Sequence, residues 1–251
     1  MSGDSILSIV AFYIYKGDAL MRKGIRKHFF NEDYFENIDT EEKAYWLGFI
    51  AADGCIVKSG AYNSYRLYIN LGSVDENHLQ KFLNSINAHD IEIQNYVSTS
   101  GFNNKNGTNT SRIVLNSLKL CKDLSKYNIH ERKSYDIKMP EIHYQLIPHY
   151  LRGYVDGDGS FYCHYDENNK RYRYSFEIVG GSRIFMEQVQ SYLTDKNIKT
   201  YIYTRKTNGS IRLMSSSKVE ILKIIELLYT NANIYLDRKL NKTNEIKNIA
   251  V

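Results

Sequence analysis

The sequence predicts an α+β chain built from two pseudo-symmetric αββαββα repeats. Three observations carry this. A ten-residue segment occurs twice, as YWLGFIAADG over residues 45–54 and as YLRGYVDGDG over residues 150–159, with its aspartates 105 residues apart (158 minus 53). Each copy is followed by the same succession of period-two and helical patterns, which is how a duplicated unit reads in sequence. The only two prolines, Pro140 and Pro148, fall between the copies, where residues that cannot continue a helix or an inner strand are tolerated. The expected organisation is a basic N-terminal extension over residues 1–40, a first repeat over 41–140 and a second over 141–251.

Asp39, with Glu42 three residues on, reads as the N-cap and capping box of the first repeated helix. Pro148 suits the opening turn of the second, and Gly54 and Gly159 read as stops. A polar hairpin then ends in YRLYINL (65–71) or YRYSFEI (172–178). Both alternate: Leu67, Ile69 and Leu71 oppose Arg66, Tyr68 and Asn70, while Tyr172, Tyr174, Phe176 and Ile178 oppose Arg171, Arg173, Ser175 and Glu177. Helical spacing follows at Leu79, Phe82, Leu83 and Ile86, and at Phe185, Met186, Val189 and Leu193. A second hairpin comes next. In the second repeat Asn208-Gly209 predicts a two-residue turn that pairs Arg205 with Arg212 and Thr204 with Leu213; in the first, the tip spans 100–110. Each repeat closes with a helix (about 118–127 and 219–229) and a matching tail, NIHERKS from Asn128 and NIYLDRKL from Asn233.

Composition narrows the class more than the function. No apolar run reaches the roughly 20 residues of a membrane helix, and the apolar stretch from Ile6 follows Asp4 without a basic start, so neither a span nor a signal peptide is expected. Cys55, Cys121 and Cys163 are odd in number and lack a Cys-x-x-Cys pair, which argues against a disulfide framework or zinc site and for a reducing cytosol or nucleus; the expected location is the cytoplasm of a bacterium or phage-infected cell, or an organelle. A formal charge of +5 admits a polyanionic partner without naming one.

The repeated helices say more. Gly48 and Ala52, like Gly153 and Gly157, are four apart, so each helix carries a stripe without bulk that lets another backbone approach. An isolated stripe would only pack two repeats together. Here each helix also ends in an aspartate, facing the negative end of its macrodipole at a cost of a few tenths to about 1 kcal/mol. Paired through the stripes, the helices would bring Asp53 and Asp158 together and require a cation. Mg²⁺, which takes one or two carboxylates and completes its shell with water and phosphate oxygen, fits such a site.

At these residues the chain resembles the LAGLIDADG homing endonucleases of the single-chain, two-motif type. Gly48, Ile50, Ala52, Asp53 and Gly54 match one motif; Leu151, Gly153, Val155, Asp156, Asp158 and Gly159 match the other. The resemblance implies paired central helices flanked by two antiparallel β-saddles over double-stranded DNA, in a monomer with internal pseudo-two-fold symmetry. It also implies two or three divalent ions, Mg²⁺, shared by Asp53 and Asp158, and water-organising lysines at Lys133 and Lys239. Ala51 where the other copy has Asp156, and Arg152 in place of a small residue, depart from the pattern and imply unequal halves.

Under this reading Arg66, Tyr68, Asn70 and Arg112 face one half-site and Arg171, Arg173, Arg205 and Arg212 the other, because a two-stranded ribbon fits the major groove and Arg and Asn read guanine and adenine edges. Lys16, Arg22, Lys23, Arg26, Lys27 and His28 form a basic stretch suited to phosphates. An EF-hand is excluded by Phe161 where the loop needs glycine. An RNA maturase assisting intron splicing, or a catalytically silent DNA-binding regulator, would share the fold with different chemistry.

Overall fold

The computed structural model describes residues 28–59, 64–99, 107–207 and 209–250. The basic stretch from Lys16 to Lys27 lies outside them, as does Asn208. Each repeat opens with a central helix, α1 (Glu41–Asp53) in the first and α4 (Ile147–Asp158) in the second. The first continues through β1 (Gly54–Ser59), β2 (Ser64–Gly72), α2 (Glu76–Ser85), β3 (Gln94–Ser98), β4 (Thr108–Asn116) and α3 (Leu118–Lys126). The second continues through β5 (Gly159–Asp166), β6 (Arg171–Gly180), α5 (Arg183–Asp195), β7 (Tyr201–Thr204), β8 (Ile211–Ser215) and α6 (Lys218–Tyr229), with a further helix α7 (Asp237–Ala250).

The sheets are antiparallel, ordered β1-β2-β4-β3 and β5-β6-β8-β7. Their equivalence is residue for residue. Gly54 pairs with Ile69 and Gly159 with Ile178; Ile69 then pairs with Ile113 and Ile178 with Leu213. The alternating strands bury one side as expected: Leu67, Ile69, Ile113 and Leu115 of the first sheet and Phe176, Ile178 and Leu213 of the second all enter one continuous core. In β6 the apolar face is buried only from Phe176 onward, since Tyr172 lies where the hairpin extends past the core and is exposed.

Several local expectations are corrected. The first helix is capped by Thr40, whose hydroxyl accepts from Lys43 N at 3.2 Å, while Asp39 pairs with Lys43 Nζ at 2.8 Å. Gly54 and Gly159 do end the helices, but with extended backbones (φ −75° and −87°), so each glycine begins a strand directly. The last hairpin pairs Tyr203 with Arg212 and Thr204 with Ile211, two residues out of the expected register. Its loop is four residues, closed by Arg205 N donating to Ser210 O, with Gly209 at φ +68°. A shift of two keeps every side chain on its face, so Arg212 stays outward. In the first repeat, residues 108–110 belong to β4 rather than to the tip. The second repeat ends not in an irregular tail but in the helix α7, for which Leu236, Leu240, Thr243 and Ile246 carry the helical spacing, Thr243 and Ile246 being buried.

The centre is set by glycine. A Cβ on Gly48 would overlap the Tyr150 carbonyl and sit 3.0 Å from Tyr154 N; one on Gly153 would overlap the Tyr45 carbonyl and sit 2.8 Å from Phe49 N. The contacts are reciprocal, as a two-fold relation between α1 and α4 requires. Gly157 lies against Ala52 and beside Asp53, so the helices run in the same direction and finish together. Gly48→Ala or Gly153→Ala must push two backbones apart, and each is expected to cost about 3 kcal/mol or more in a thermal or urea unfolding experiment, at the upper end of overpacking. Retention of wild-type stability by both would contradict this packing.

Candidate active site

At the ends of α1 and α4, Asp53 is half-buried and Asp158 keeps exposed surface. The Asp53 carboxylate lies over Gly157, where a Cβ would come within 3.0 Å of its Oδ2. Burial, and then the Asp158 charge, push the Asp53 carboxyl up to about 7, against the opposing pull of Lys133, Lys239 and Arg238. Asp158 is also raised, by the burial of its carboxyl, with Lys133 and Lys239 pulling the other way. The pair is thus short of positive charge.

The two lysines arrive where the tails matched. Lys133 opens a 3₁₀ turn (Lys133–Tyr135), and its Nζ donates to the carbonyl of Gly54, the residue after Asp53. Lys239, in the first turn of α7, donates to the carbonyl of Gly159, the residue after Asp158. Both are buried. Burial lowers the affinity of each ammonium for its proton, while the aspartates act in the opposite sense; Lys133 also feels Cys55, and Lys239 is lowered further by Arg238.

The donor set at this point is oxygen from two carboxylates, which suits a hard cation rather than zinc. Among the described residues no group of three or more His, Cys, Asp or Glu side chains is placed to hold a metal. Any ion here therefore depends on further oxygen ligands.

The charged residues that make the two motifs unequal, Asp156 opposite Ala51 and Arg152 opposite Leu47, have structural reasons. Asp156, fully buried, accepts from Tyr45 Oη at 2.7 Å, Tyr229 Oη at 2.6 Å and Leu236 N at 2.7 Å. Arg152, 1% exposed, donates to Glu41 Oε1 at 2.7 Å and to the carbonyls of Leu228 and Ile234, both at 2.9 Å, and lies over the Tyr45 ring. Glu41, Tyr45 and Tyr229 were not singled out from sequence. A charged pair inside an apolar helix nonetheless signals buried partners.

The outer sheet faces carry the residues expected there, in two chemistries. On the first sheet Arg66 and Asn70 are exposed. Arg112 is held by Gln94 Oε1 at 3.2 Å and over the Tyr96 ring at 4.8 Å, with Tyr68 beyond. Arg66, Tyr68, Gln94 and Arg112 line a cavity of about 590 Å³ on that face. On the second sheet Arg173 pairs with Asp166 at 2.9 Å and Arg212 with Glu177 at 2.9 Å, whereas Arg171 and the loop residue Arg205 are exposed. Tyr162, Tyr201 and Tyr203 are exposed beside them. Gln94 and Tyr96 escaped notice because the edge strand β3 shows no alternation.

Among the described residues no helix is long and apolar enough to cross a membrane, and all three cysteines are free.

With this geometry in view, residues 151–249 match the family model described as LAGLIDADG endonuclease. A comparison with curated proteins found no match. Among solved structures, the chain is similar to the homing endonuclease I-WcaI bound to its DNA recognition sequence (TM-score 0.56, 17% identity, covering 83% of this chain and 91% of that one). It is likewise similar to the LAGLIDADG homing endonuclease I-LtrWI bound to target DNA (0.54, 16%, 88% and 90%) and to I-GzeII in complex with its DNA target (0.54, 14%, 82% and 89%). The chain therefore resembles the LAGLIDADG homing endonucleases in sequence over its second repeat and in fold over its two-repeat body.

Proposed function

We propose that this protein is a site-specific double-stranded DNA endonuclease that hydrolyses phosphodiesters with Mg²⁺ bound at Asp53 and Asp158. The single observation that carries the reading is the pair of charge-deficient carboxylates at the joined ends of α1 and α4, each followed by a carbonyl that engages a buried lysine. The relatives bound to DNA support the choice of substrate.

Divalent ions at the paired carboxylates would supply Lewis-acid stabilisation of the phosphate and a bound water of lowered pKa. Asp53 and Asp158 would hold them, with scissile phosphates completing the shell. Lys133 and Lys239, anchored by the following carbonyls, present ammonium protons to waters beside each phosphate. The sheets flank this centre, so each would cover about one turn of DNA, roughly 10 base pairs, with the cuts between them. The target is accordingly long and at best loosely palindromic, because the two faces differ.

Asp53→Asn and Asp158→Asn are each expected to abolish double-strand cleavage of a site selected by the wild type from a randomised duplex library, while binding survives in a gel-shift assay. Undiminished cutting by either would contradict the mechanism.

A carboxyl raised from about 4 in the unfolded chain to about 7 in the folded one contributes stability that is present below pH 4 and lost as the pH rises through 7. Without divalent ions the protein should thus lose stability between pH 5 and pH 8, by on the order of 1 kcal/mol after allowing for solvent screening at the exposed side. That is roughly 2–4 °C in Tm. Mg²⁺ should restore it at pH 8 far more than at pH 5, and Asp53→Asn should diminish both effects, leaving the part that belongs to Asp158. An Mg²⁺ response independent of pH, or unchanged in the variant, would count against a shared cation site.

Arg112, preorganised by Gln94 and Tyr96, is expected to read one position of its half-site. Arg112→Ala should cost about 1–3 kcal/mol and relax preference at one or two positions of that half. A cleavage profile across the randomised site tests this; equal change in both halves would sink the assignment.

A further inference from the structure

Lys133 and Lys239 reach equivalent places by different means. The tail before Lys133 is tied to the first hairpin, where Glu131 Oε1 accepts from Lys58 N at 2.6 Å. The tail before Lys239 is held by charged side chains of the central helices, and next to the lysine Asp237 pairs with Lys81 Nζ at 2.8 Å and Arg238 with Asp75 at 2.8 Å. Asp156 accepts the Leu236 amide at 2.7 Å, and the Leu236 carbonyl in turn accepts from Lys239 N at 2.9 Å and Leu240 N at 3.1 Å, forming the first turn of α7. Arg152 donates to Ile234 O and Leu228 O, and Glu41 accepts from Asn233 N at 2.9 Å and Nδ2 at 2.8 Å.

The first repeat supplies an internal control. The positions equivalent to Arg152 and Asp156 are Leu47 and Ala51, both buried in the same helix pairing. The close backbone approach of the helices is thus met from α1 without a charge at either place, whereas from α4 the two charges also bond Tyr45 and Glu41 of α1. Burying a guanidinium and a carboxylate costs several kcal/mol unless their hydrogen bonds are met, and here two bonds of each go to residues 228–236, ahead of Lys239, while Asp156 also accepts from Tyr45 and Arg152 also donates to Glu41 on α1. The alternative, that they merely fill the core, leaves those directed bonds to residues 228–236 without a role.

We propose that Asp156 and Arg152 are positioning residues for Lys239, so that the lysine of the second repeat, and not that of the first, depends on the central helix pair. The consequence for cleavage rests on the endonuclease reading; the placement does not. One strand's cut is then governed by Asp156 and Arg152 and the other is indifferent to them.

The test pairs acylation with strand-resolved nicking. Native protein is pulse-labelled with acetic anhydride and the modification of Lys239 and Lys133 is quantified by mass spectrometry. In Asp156→Ala, and in Arg152→Met, which keeps apolar volume, Lys239 labelling is expected to rise roughly tenfold relative to Lys133 as the segment opens locally. Asp156→Asn retains an acceptor for the Leu236 amide and should largely restore protection. On a supercoiled plasmid carrying the selected site, the same two variants should accumulate nicked circles broken in one strand, with the bias of Lys239→Ala and opposite to that of Lys133→Ala. An unchanged labelling ratio, both lysines rising together, or equal slowing of both strands would overturn the proposal, the last two because they mark loss of the fold as a whole. Should the wild type cut no DNA, the endonuclease reading fails while the labelling ratio still decides the positioning.

Discussion

Everything at the centre of this molecule follows from the approach of two helix backbones at Gly48 and Gly153. Each glycine faces the carbonyl of a tyrosine one turn from its counterpart, and neither position has room for a methyl group. Such an approach fixes the helices in common direction, brings their C-terminal ends together and sets the two sheets to either side. It also places Asp53 next to Asp158, where burial and then like charge disfavour the Asp53 carboxylate, burial disfavours that of Asp158, and each faces the negative end of its helix dipole. The fold thus spends stability at one point, an arrangement typical of functional sites.

The surrounding charges moderate this cost without cancelling it. Lys133 and Lys239 draw both carboxyls toward ionisation, yet their own burial limits how much positive charge they deliver, and their protons are already engaged with the carbonyls of Gly54 and Gly159. Two acids and two tethered lysines, repeated about a pseudo-two-fold axis, would on the endonuclease reading offer similar surroundings to two phosphates of opposite strands. Symmetry fails one layer out. Arg152 and Asp156 replace apolar residues of the first repeat, and acid-paired arginines among tyrosines on one sheet replace the stacked Arg112 on the other.

Much of this was legible because the chain is written twice. A single ADG or GDG tripeptide says little, whereas two copies 105 residues apart (158 minus 53), each followed by the same alternating and helical patterns, constrain the topology and nominate the acids. Strand faces were readable for the central strands, whose buried side alternates strictly, and unreadable for the edge strand β3, which has no buried side. The hairpin register was misjudged because Asn-Gly favours a two-residue turn in general, while here Gly209 serves a longer loop. Thr40 is the cap although aspartate is the more favoured residue there, because the helix starts one residue later and Asp39 pairs with Lys43 Nζ. The helix α7 was hidden by polar residues: its buried stripe includes Thr243, and Lys239 looks like surface until the fold turns it inward. Apart from His149, three residues from Arg152, the partners of Arg152 and Asp156 lie 73 to 111 positions away, beyond any local pattern.

The central claim is that Asp53 and Asp158 together hold divalent ions against DNA. It is tested most directly by crystallising the protein with its selected duplex and Mn²⁺ and recording anomalous scattering. The expected result is density between the two carboxylates, within roughly 2.2 Å of an oxygen of each and shared with scissile phosphates. Metal density elsewhere in the complex, with Asp53 and Asp158 free of ligands while DNA lies across both sheets, would contradict it.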